Sequence, residues 1–107
     1  MLDNVAPPAD ETGALKETFR RQLAAAFELS AETVFGPDLT LAEVVSASPR
    51  FVNSVDFMEA CAKVANGFRK THGVSIRLPA TALDTRMSVI VDSFAAQAHA
   101  AASARAS

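Results

Sequence analysis

Leu15, Phe19, Leu23 and Phe27 recur every fourth residue, and that spacing limits what the chain can become. Side chains at i, i+4, i+8 and i+12 form one apolar stripe along an α-helix. Lys16, Glu17, Arg20 and Arg21 fall on the other faces. Phe57, Met58, Cys61, Val64, Ala65 and Phe68 draw a second, broader stripe, and Met87, Ile90, Val91, Phe94 and Ala98 a third. An apolar helix face has to be covered by another element, so three such stripes in 107 residues predict one all-α domain.

The punctuation between the stripes divides the chain. Residues 1–10, with Pro7 and Pro8, are expected to form a flexible arm, residues 11–97 the bundle, and residues 98–107 an Ala-rich tail. The first helix is expected from Glu11 to near Leu29, where Ser30 opens a new short turn. Gly36-Pro37-Asp38 is a turn signal. Thr40 and Glu43 fit a capping box, predicting a short helix over 41–46 that Ser48-Pro49 ends. Asn53 suits the N-cap of a long helix over Ser54–His72, accepting from the N–H of Val55 or Asp56, and Gly73 suits its C′ position. Val74–Pro79 alternates apolar and polar and is expected to run extended, with Val74, Ile76 and Leu78 packed inward. A helical turn near Ala80–Leu83 and a cap at Asp84 or Thr85 then lead to the last helix, which is expected to fray beyond Ala95. The prediction is a small four-helix bundle: three long helices, one short, and a long loop between the first two long ones.

Composition excludes several functions. Ten Lys and Arg against twelve Asp and Glu give a net charge of −2, and Trp and Tyr are absent. A nucleic-acid binder normally carries a basic surplus and stacking aromatics, so no nucleic-acid partner is expected. A single Cys excludes an intrachain disulfide. No apolar run is long enough to insert stably in a membrane, and the acidic start lacks a secretory pattern, so a cytoplasmic setting is expected. His72 and His99 have no neighbouring ligands at metal spacing, Cys61 reads as a buried hydrophobe, and the four glycines form no phosphate loop. No metal site and no enzyme activity are expected.

Ser54 remains. It occupies the first position of a long amphipathic helix after an irregular loop, where the helix dipole and unpaired N–H groups favour an anion such as a phosphate ester. The segment Asn53-Ser54-Val55-Asp56-Phe57-Met58-Glu59 resembles the D-S-L-D-x-x-E signature of acyl carrier proteins. Ser54 takes the serine position, Val55 replaces leucine, and Asp56 and Glu59 match the acidic positions. Asn53 departs from the usual Asp. The first helix followed by Phe27–Val34 looks like that family's first helix and its following turn, His72–Pro79 like the F-G-I-x-I-P after its second helix, and Val91-Asp92-Ser93-Phe94 like the V-D-Y-I of its last. The likeness covers about residues 14–96.

The resemblance implies a stand-alone acyl carrier of acyl-carrier-type bundle fold. Ser54 would carry 4′-phosphopantetheine, with Asn53, Val55 and Asp56 around it, and would hold an acyl group as a thioester. Asp56, Met58 and Glu59 would meet partners: a phosphopantetheinyl transferase, then acyl-activating, ketosynthase or acyltransferase enzymes of a specialised lipid, fatty-acid or polyketide pathway. Phe57, Cys61, Phe68 and Ile76 would be the acyl-pocket candidates, although ordinary core is the better expectation for each of them. Lys63, Arg69 and Lys70 answer the acidic residues on the same helix, which points to a dedicated partner set. A monomer is expected. Two other readings stay open: an aminoacyl or peptidyl carrier with the same arm, and a helical interaction module that has lost it.

Overall fold

The computed structural model describes residues 8–79 and 81–106. The described residues are helical with no named strand: α1 (Pro8–Phe27), α2 (Ala31–Phe35), α3 (Leu41–Ala47), α4 (Ser54–His72) and α5 (Met87–Ala106). Five helices thus replace the predicted four, with both short ones before α4. Residues 1–7 of the predicted arm lie outside the described residues. α1 starts at Pro8, before the expected Glu11, because proline is well suited to a first helical position. It ends at Phe27, where Glu28 adopts φ 56°, and the chain turns. The Ala-rich segment does not end α5 at Ala95. Alanine's high helix propensity carries the helix to Ala106, and Ala98 is still buried.

The three long helices meet at phenylalanines. The ring of Phe19 on α1 lies 5.0 Å from Phe68 on α4 and 5.4 Å, edge-on, from Phe94 on α5. Leu23, Ile90, Val91 and Met87 fill the layer around them, all essentially inaccessible to solvent. Nearer the end of α1, Phe27 stacks on Phe57 at 5.3 Å, and Phe51 meets both rings edge-on. Val34, Leu41 and Val44 dock the short helices on the same core.

Two helix starts complete one another across the chain. The Thr40–Glu43 capping box forms as the sequence predicts, with Thr40 Oγ1 accepting from the Glu43 N–H and Glu43 Oε1 accepting from the Thr40 N–H at 2.8 Å. The first two amides of α3, Leu41 and Ala42, donate to the carbonyls of Thr85 and Leu83. In return the Met87 N–H donates to Leu39 O, and the Ser88 N–H and hydroxyl donate to the Asp38 carboxylate at 2.9 and 2.7 Å. Asp38 therefore caps α5 from fifty residues away, in place of the predicted Asp84 or Thr85. The segment Thr81–Arg86 before α5 forms a turn at Leu83–Asp84 and no helix, in place of the predicted helical turn, whose Ala80 lies outside the described residues.

The two hydrogen bonds from Thr40, backbone then hydroxyl, hold the Glu43 carboxyl below its ordinary pKa against desolvation, and the Arg86 charge adds a lesser lowering. A depressed folded-state pKa stabilises the fold above the unfolded carboxyl's range, and that help is lost as pH falls through the lowered value.

Asp38 also sits at φ 58°, a left-handed conformation that Asp and Asn tolerate better than most residues. Asp38→Ala is expected to lower the free energy of unfolding by about 2 kcal/mol, from a lost cap and a strained backbone, while Asp38→Asn loses under about 1 kcal/mol. Urea denaturation checks the ordering, and equal losses would contradict the capping role.

Candidate functional site

The start of α4 is built by a local clasp. Asn53 is the N-cap, and its Oδ1 accepts from both the Val55 and Asp56 N–H groups at 3.0 and 3.3 Å. Asp56 then reaches back, Oδ2 accepting from the Val52 N–H at 2.8 Å. The preceding loop is tied to α1. The hydroxyl of buried Ser48 donates to the last carbonyl of α1, Phe27 O, at 2.6 Å and accepts from the Arg50 N–H at 3.1 Å. Arg50 pairs with Glu28 at 3.1 Å, an exposed ion pair that contributes little on its own. Phe51 closes the connection from inside.

Ser54 stands at the first helical position, half-buried, and its hydroxyl makes no hydrogen bond with any described residue. Every bond that shapes the turn comes from its neighbours. The Val55 and Asp56 amides are already held by Asn53, so the electrostatic help available to a phosphate on Ser54 comes from the helix dipole and not from those two donors.

The other residues singled out on sequence separate into two groups. Val55, Met58 and Glu59 are exposed near Ser54, and with Val52 they form a surface of three aliphatic side chains and one carboxylate. Asp56 is half-buried and already engaged in the clasp. Phe57, Cys61, Phe68 and Ile76 are all buried in the core, and none lines the two clefts that open beside α4. Those clefts run between α1 and α4. One, of about 190 Å³, is lined by Arg50, Phe51, Asp56, Glu59 and Lys63, and the other, of about 390 Å³, by Gln22, Val64, Gly67 and Thr71. Burial pushes the Cys61 thiol up to about 12, so it stays protonated and poorly nucleophilic in the folded protein.

Two contributors escaped the sequence. Ser48-Pro49 reads only as a helix stop, and nothing in the order of residues shows a bond to Phe27, twenty-one positions back. Asp56 reads as a favourable first-turn acid, and its return bond to Val52 is a matter of loop shape. Among the described residues no group of His, Cys, Asp and Glu is placed to hold a metal ion, and no described helix is long and apolar enough to cross a membrane. No protein-family model, curated protein or solved structure matches the chain.

The clasp assigns different costs to adjacent residues. Asn53→Ala removes an acceptor shared by two amides and is expected to cost about 1 kcal/mol of stability. Ser54→Ala removes a group the fold does not use and is expected to stay within about 0.5 kcal/mol of the parent. Chemical denaturation of the two variants checks this, and a large loss from Ser54→Ala would show that its hydroxyl is structural.

Proposed function

We propose that the chain is an acyl carrier protein that takes 4′-phosphopantetheine on Ser54 and passes an acyl group between enzymes. The observation that carries this reading is the Ser54 hydroxyl: first in a nineteen-residue helix, without a partner among the described residues, and dispensable to the clasp beside it. The residues fit the group on that ground, because esterifying the hydroxyl breaks no bond of the fold and leaves the phosphate at the positive end of α4. When bound, the group supplies a terminal thiol that can hold an acyl group as a thioester. The chain's own residues supply the address. Val55, Met58 and exposed Glu59 offer an apolar contact edged with one negative charge, and Lys63, Arg69 and Lys70 further along α4 make its charge pattern mixed. Partners complementary to that pattern would be a dedicated set of a specialised lipid, fatty-acid or polyketide pathway. Phe57, Cys61, Phe68 and Ile76 belong to the closed core, so cargo would shelter there only by displacing packed side chains.

A helical interaction module without the arm is the second reading. It is favoured by Asn53 in place of the family's Asp.

Incubation with coenzyme A, magnesium and a broad-specificity phosphopantetheinyl transferase separates the two. Intact-mass spectrometry is expected to find one adduct per chain, absent from Ser54→Ala and formed faster in Asn53→Asp. If both the parent and Asn53→Asp remain unmodified, the carrier reading falls and the module reading stands.

A further inference from the structure

The connection from Val74 to Pro79 is neither helix nor strand, its side chains alternate between buried and exposed from Val74 to Arg77, and no strand lies beside it among the described residues. Backbone N–H and C=O groups outside helices and sheets find partners among side chains or water. Here one side chain holds both backbone groups of Arg77. Gln97 on α5 accepts from the Arg77 N–H through Oε1 at 2.8 Å and donates through Nε2 to Arg77 O at 2.7 Å. Ser93, one turn earlier, steadies that amide, accepting from Nε2 at 3.1 Å.

The inward residues of the same connection close the core. Val74 and Ile76 are 6% and 9% exposed, and Leu78 packs against them half-buried. At the upstream end Gly73 stands at φ 72°, a conformation glycine adopts without steric cost, and its N–H ends α4 on Arg69 O. Three inward side chains, one of them only half-buried, and one amide hold this segment, whereas each long helix has its own backbone ladder. Segments with so few attachments open at lower free energy than the helices around them.

We propose that Val74–Pro79 is a latched strap. Gln97 fastens it to α5, and it opens about Gly73 while the helices stay folded, uncovering the apolar core that Val74 and Ile76 seal. This holds whether or not Ser54 is modified.

Two thiols in one molecule test it. Ile76→Cys places a reporter under the strap, and native Cys61, buried in the middle of α4, reports opening of the helices. Labelling with a thiol reagent under native conditions, followed by peptide mass spectrometry, gives both rates at once. The Ile76→Cys thiol is expected to react faster than Cys61. Adding Gln97→Ala is expected to speed it roughly tenfold, the effect of losing two ordinary hydrogen bonds, with the Cys61 rate unchanged. A general loss of stability speeds both thiols together and leaves their ratio constant. Equal rates, or a ratio that Gln97→Ala does not move, would overturn the strap. If Ile76→Cys does not fold, hydrogen exchange of the parent decides: the Arg77 amide exchanging faster than core amides of α4 supports the strap, and exchange at the same rate overturns it.

Discussion

Phe19 is the contact on which the rest of the molecule depends. It lies against Phe68 and Phe94, so one residue of α1 fixes both other long helices. Buried aromatic rings contribute through the area they cover and through edge-on geometry worth about 0.5–1.5 kcal/mol per pair, and truncating one typically costs about 3–5 kcal/mol. With that joint set, the height at which α4 begins follows from a second cluster. Phe27, Phe51 and Phe57 bring the loop before Ser54 onto the end of α1, and the Ser48 hydroxyl closes the same junction on the Phe27 carbonyl. Packing thus determines where the helix start is, and hydrogen bonding determines its shape.

The far end of the bundle solves a related problem differently. α3 is only seven residues long, and a helix of that length is not stable by itself. Its first amides are satisfied by carbonyls before α5, while α5 takes its cap from Asp38 before α3. Each segment satisfies groups the other would leave unpaired. The long connection between α1 and α4 is therefore held at both ends: by the mutual capping below and by the aromatic cluster and Ser48 above. A loop that long would otherwise leave the position of Ser54 poorly defined.

Much of this was readable in the residues, for a definite reason. Signals within a few positions of one another are carried by the sequence itself: the Leu15–Phe27 stripe, the Thr40–Glu43 box, Asn53 before α4, Gly73 after it, and the alternation that sends Val74 and Ile76 inward. Contacts over long separations are not. Asp38 looks like part of a turn, and only the folded chain brings it to Ser88; Gln97 looks like a polar residue in an alanine run, and only the folded chain sets it against Arg77. Thr81–Leu83 of the helical turn expected near Ala80–Leu83 is not helical, and the Leu83 carbonyl serves a helix forty residues earlier, a pairing no local signal shows. At the candidate site the N-cap was legible, while the return bond of Asp56 and the engagement of Asn53 with two amides were not.

These features leave Ser54 in an unusual position. The residues on either side are committed to holding the helix start, and the serine itself is uncommitted. A carrier needs that division, because the attachment point has to accept a large group without loosening its own support. The most direct measurement is tandem mass spectrometry of the tryptic peptide Phe51–Lys63 from protein isolated from its own cells. The account predicts phosphopantetheine on Ser54 in a substantial share of molecules. A peptide found only with a bare serine would contradict it.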